Sequence, residues 1–164
     1  MAELNLTQEE IDERIAILRR FRKLLEQQRN KFREYLEVLE KQQTAIEKGD
    51  TEALMAHTEL EQQIVANIGN LQKVIAPMEK LYESKSAPVF GSGKSEEAAS
   101  IPHLKTDLLK LQQAVLSRNR QNCDMLRNSM TEMKSRMAMF KNPYKNSRSI
   151  YANDRTASLV NLQG

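Results

Sequence analysis

The sequence contains little that interrupts a helix. In 164 residues there are five glycines and four prolines, well under the roughly 12% that an average chain carries. A β-sandwich or barrel needs turn signals every ~8–12 residues, so those folds are excluded. No β-branched or aromatic run of strand length stands between the helical stretches, which removes an α/β fold. Tryptophan is absent, and phenylalanine and tyrosine number four each, too few for a deep globular core. The lone cysteine, Cys123, has no partner for an internal disulfide and suits a reducing compartment. No uncharged apolar run approaches the ~18 residues of a membrane span, so no stable membrane insertion is expected. The opening MAELNLTQEE lacks the basic and apolar segments of a signal peptide. A cytoplasmic location is the expectation.

What is present is helical periodicity. Thr7-Gln8-Glu9-Glu10 reads as a capping box, with Thr7 and Glu10 each able to satisfy the other's free amide. From there an apolar ladder climbs in seven-residue steps through Ile11, Leu18, Leu25, Phe32, Leu39 and Ile46. That repeat belongs to a helix packed along a coiled-coil seam. A patchier companion ladder uses Ile15, Phe21, Tyr35 and Leu36, with Gln28, Gln42 and Gln43 near its path. Gly49 offers a left-handed C-cap and Asp50 the next N-cap, a connection so short that the two helices must run antiparallel. The second helix shows Leu54, Ile64, Ile68, Leu71, Ile75, Met78 and Tyr82, with Glu61 in line among them and Pro77 expected to kink it. The third starts near Pro102 with Ile101, Leu104, Leu108, Leu111 and Val115. A register slip at 115–119 then leads to a later ladder of Leu116, Asn119, Cys123, Leu126, Met130, Met133, Met137 and Phe140.

The expected fold is therefore all-α, an elongated antiparallel helical hairpin plus a third long helix, forming a three-helix coiled-coil-like bundle with a disordered C-terminal tail. One domain covers 1–140, with helix 1 at about 8–48, helix 2 at about 51–83, a flexible linker at 84–101, helix 3 at about 102–140 and a basic tail at 141–164. Net charge is +3, but it is unevenly spread: residues 50–83 carry two basic and six acidic groups, residues 103–164 eleven and four. The acidic middle helix and the basic third helix attract one another when packed side by side.

Motifs for chemistry fail in turn. Gly91-Ser92-Gly93-Lys94-Ser95 resembles the end of a phosphate-binding loop, but Pro88 stands where that loop needs glycine, and no strand precedes it. His57 and His103 have no companions at zinc-ligand spacing. Cys123 reads as a small core residue on the apolar stripe of helix 3. The basic cluster at 19–23 has no helix-turn-helix or aromatic platform beside it, so no nucleic acid is expected as a partner. No catalytic, cofactor or metal residue is assigned and no enzyme activity is expected.

One feature points to a partner. Five of the eight methionines fall within 125–139, and methionine is the side chain of adaptable protein-binding surfaces. Met130, Met133 and Met137, flanked by Leu126 and Phe140, are either core or the apolar groove for a helical guest. The same seam would also serve a homo-oligomeric coiled-coil scaffold or adaptor.

The stretch Leu36-Glu37-Val38-Leu39-Glu40, the turn Ile46-Glu47-Lys48-Gly49-Asp50-Thr51-Glu52-Ala53-Leu54, the following Glu59-Leu60-Glu61, and Ser149-Ile150-Tyr151 beyond the last helix resemble the FlgN-type flagellar type III export chaperones. The likeness runs over roughly 7–155. Ala152 and Arg155 depart from the glycines that family often carries after its tyrosine. The resemblance implies a small helical chaperone without ATPase activity. It would bind the helical C-terminal ends of the hook–filament junction proteins FlgK and FlgL, keep them from assembling early and deliver them to the membrane export gate, FlhA. On that reading Leu126, Met130, Met133, Met137 and Phe140 hold the cargo, and Tyr151 docks the loaded chaperone on the gate.

Overall fold

A computed structural model describes residues 7–86 and 96–141. Among them are three helices and no strand: α1 (Gln8–Lys48), α2 (Thr51–Ser86) and α3 (Glu96–Lys141). The chain divides into two compact units, Met1–Met125 and Leu126–Gly164, with the boundary inside α3. The single stretch 1–140 expected from the sequence is thus divided at Met125. The burial pattern gives the reason, since no described residue after Asn122 is buried.

In the first unit the ends of α1 are set by the expected chemistry. Thr7 Oγ1 accepts from the Glu10 amide at 3.3 Å while Glu10 Oε2 accepts from the Thr7 amide at 2.9 Å. At the other end Gly49 adopts φ 65°. Its N–H donates to the Ile46 carbonyl at 3.2 Å, and the Asp50 N–H donates to the Ala45 carbonyl at 2.9 Å. This pair of hydrogen bonds closes the helix and requires the left-handed conformation that glycine takes without strain. A Cβ at Gly49 would meet no atom within 4 Å, so the backbone angle is the whole requirement. Asp50 Oδ1 then accepts from the Ala53 amide at 3.0 Å and opens α2.

Side-chain pairings fix the directions. Phe21 stacks on Tyr82 with ring centroids 5.2 Å apart, and Gln42 bonds Glu61, so numbering falls on α2 as it rises on α1: the pair is antiparallel. Lys105 lies over the Phe21 ring at 5.8 Å and Asn122 Nδ2 donates to the Leu39 carbonyl at 2.8 Å, so α3 runs parallel to α1. The core groups Leu18, Phe21, Leu25, Ile75, Ile101, Leu104 and Leu108, with Phe32, Leu71, Met78 and Tyr82 packed against it. Fully covering one such side chain contributes about 1.5–3 kcal/mol. The acidic and basic helices pair as their charges suggest, through Lys105–Glu79 at 3.1 Å between α3 and α2.

Several expectations are corrected. Helix α3 begins at Glu96, so Pro102 lies inside it and not at its first turn, and α2 continues to Ser86, narrowing the interval expected at 84–101. Ile101 is fully buried in register with Leu104 and Leu108, and that burial together with helix-favouring Ala98-Ala99 carries the helix back past the proline. No register slip occurs at 115–119. The buried positions continue in seven-residue steps through Ile101, Leu108, Val115 and Asn122, with a polar residue taking the last place. Cys123 is exposed, one residue round the helix from that seam. The phosphate-loop-like segment at 91–95 and the tail beyond Lys141 lie outside the described residues.

Candidate functional site

The second unit, by itself, presents a helical stretch from Leu126 to Lys141. Leu126, Met130, Met133, Met137 and Phe140 are spaced four, three, four and three residues apart. At ~100° per residue the five fall within an ~80° sector. All five are exposed, from 38% at Leu126 through 51%, 62% and 64% at the methionines to 85% at Phe140. The structure therefore places every residue of the expected stripe on one face, and all five are exposed among the described residues. Met139 is as exposed, at 72%, but its position puts it on the far side of the helix. Single exposed apolar side chains are unremarkable. A contiguous strip of five in a/d spacing has the form of the face through which helices pair. Tyr151, the other assigned residue, lies outside the described residues.

The first unit offers two competitors. One is a polar layer across the bundle. Phe21, Gln28, Tyr35 and Gln42 occupy one seven-residue ladder of α1, and Gln28 and Gln42 are buried on it. Glu61, in line with the apolar face of α2, accepts from Tyr35 Oη at 2.9 Å and from Gln42 Nε2. Burial first, and then the Glu61 carboxylate as acceptor and neighbouring charge, push the Tyr35 phenol above its ordinary range. Arg118 bonds Gln43 and reaches Glu40 at 3.8 Å. A neutral phenol and an amide that both donate to one carboxylate tie α1 to α2 at this level, while the buried Gln28 Oε1 and Asn122 Oδ1 of the same layer have no hydrogen-bond partner. Among the described residues no three His, Cys, Asp or Glu side chains could hold a metal ion.

The other competitor lies along the hairpin. Two grooves of about 360 and 660 Å³ run between α1 and α2, one around Val38, Leu60 and Ile64, the other around Leu71 and Val74. Lys31, Glu34, Lys41, Asn30, Asn67 and Asn70 share their walls, so the apolar strip there is broken by charges and amides of mixed kind. Exposed Leu60, Val74 and Leu81 on α2 went unassigned in the sequence. Their spacing in multiples of seven was the available signal, hidden because Asn67 fills the intervening step. In α3 the layer member missed was Asn122, for the same reason.

Among the described residues, three helices carry an exposed strip rich in methionine toward the end of α3. The FlgN family model (FlgN protein) matches residues 3–158. A protein of Treponema pallidum (strain Nichols) described as "Uncharacterized protein" is 35% identical over 136 residues, covering 83% of this chain and 82% of the relative. No solved structure matches. The chain belongs to the FlgN family, the flagellar type III export chaperones. Among the described residues no helix is long and apolar enough to cross a membrane.

Proposed function

We propose that this FlgN-family chain works in the cytoplasm, holding the helical C-terminal ends of FlgK- and FlgL-like hook–filament junction proteins and carrying them to the export gate protein FlhA. Supporting this is the stripe Leu126, Met130, Met133, Met137 and Phe140, which stays exposed among the described residues and has the spacing of a helix-pairing seam. Cargo ends that form coiled-coil cores in the filament are themselves amphipathic and associate with one another unless covered. A methionine seam covers them reversibly, and its flexible thioethers repack to suit more than one cargo sequence. The chemistry is binding alone, with no cofactor.

The deciding experiment is isothermal titration of the full chain with a synthetic C-terminal helix of each cargo. Met133→Gln with Met137→Gln keeps the helical propensity and the charge but makes the seam polar. Binding is expected to be lost in that double variant with the circular dichroism unchanged; retained binding moves the guest to the hairpin grooves. For delivery, Tyr151→Ala is expected to leave cargo affinity intact and to weaken binding of the loaded chaperone to the cytoplasmic part of FlhA, by about 2 kcal/mol for a hot-spot tyrosine.

A further inference from the structure

The flanks of the open stripe carry charge of one sign. Arg127, Lys134 and Lys141 follow one another in seven-residue steps and stand ~60–100° round the helix from the stripe's centre line. Arg136 stands on the opposite edge, ~80° the other way. All four are exposed. Arg136 meets Glu132 at 4.0 Å, a pair about three-quarters exposed on both sides, readily exchanged for a better partner. The one carboxylate in the segment, Glu132, points further from the stripe than any of the four. In a paired helix these edge positions are the ones that face the flanks of the partner and choose it by charge.

We infer that this seam selects an amphipathic helix whose own apolar stripe is edged by Asp and Glu, and that it rejects a second copy of this chain. The inference rests on the reading of the stripe as the seat of a helical guest. Two antiparallel copies paired through the stripe would set Lys134 and Lys141 against the same residues of the partner, and two parallel copies would set them against Arg136, so either way like charges face each other. An acid-edged guest meets Lys134, Lys141 and Arg136 with opposite charge along both sides. A lipid surface is the other acidic surface a basic amphipathic helix can meet, but such helices carry a broad apolar face. Here the apolar sector is the narrow seam of a helix–helix contact, and Phe140 is its sole aromatic residue.

The test uses the full chain and two designed helical peptides with the same leucine seam, one edged with Glu and one with Lys, titrated at low and high salt. The Glu-edged peptide is expected to bind tighter by on the order of tenfold or more, a gap that narrows with salt. Lys134→Glu with Lys141→Glu is expected to reverse the preference, and both sites are exposed so the fold stands. Equal affinities overturn the charge selection while leaving the guest seat intact. Failure of both peptides overturns the seat as well. Light scattering that shows a stable dimer overturns the rejection of a second copy. Sedimentation with phosphatidylglycerol vesicles that the Glu-edged peptide does not displace assigns the basic edges to lipid and overturns the inference.

Discussion

Two stretches of α3 follow one spacing rule and meet opposite fates. Ile101, Leu104, Leu108 and Val115 are buried, whereas Leu126, Met130, Met133, Met137 and Phe140 lie open. Spacing in threes and fours says that a helix has a seam; it does not say who fills it. The kind of side chain says more. The filled seam is built of branched aliphatics, whose few rotamers suit one fixed set of neighbours. The open seam is mostly methionine, whose three rotatable bonds suit neighbours that change.

This contrast predicts that equal truncations give unequal losses. Ile101→Ala, in the filled seam, is expected to cost about 2–5 kcal/mol, read as a lower urea midpoint. A loss below that range would mean the seam around Ile101 is not held by its neighbours. Next in size is the polar layer. Glu61→Ala leaves the half-buried Tyr35 hydroxyl and the buried Gln42 amide without their acceptor, at a cost of roughly 1–3 kcal/mol.

Tyr35 sharpens the same point through pH. Its folded phenol holds its proton to higher pH than in the unfolded chain, so above ~10 the unfolded state alone loses protons and stability falls. That loss is absent below ~10, and Tyr35→Phe is expected to lack this part of it. An alkaline limb of unchanged size in the variant would remove Tyr35 as its source. Smallest of all is the open seam: Met133→Ala or Met137→Ala is expected to move stability by no more than about 0.5 kcal/mol. A cost like that of Ile101→Ala would mean the methionines are core after all.

Much of this was legible in the residues because local chemistry decides it. The Thr7 box, the Gly49 and Asp50 caps and the bounds of α1 follow from hydrogen bonds within a few residues. The five residues of the open stripe were legible too, though the sequence could not decide between core and surface for them. Less legible was α3, where two neighbouring stripes compete for the inside. From 115 onward the inner one carries Arg118 and Asn122 and the outer one Leu116 and Cys123, so apolarity alone pointed to the wrong stripe and invented a slip. Asn122 is held inside by the Leu39 carbonyl, a partner far away in sequence. Pro102 misled in the same way, because the pull on the preceding turn comes from the pocket around Ile101.

The turn at Gly49 and Asp50 also sets an order of events in time. Two residues separate α1 from α2, so their closure costs little chain entropy and needs nothing beyond Ser86 to have emerged from the ribosome. The 46 residues of α3 follow, and at ~5–20 residues per second their synthesis takes on the order of seconds. Throughout that interval the nascent hairpin shows Phe21, Leu25 and Ile75 without the Ile101, Leu104 and Leu108 that will cover them. A member of a chaperone family thus spends the first moments of its own existence with a sticky face in the open.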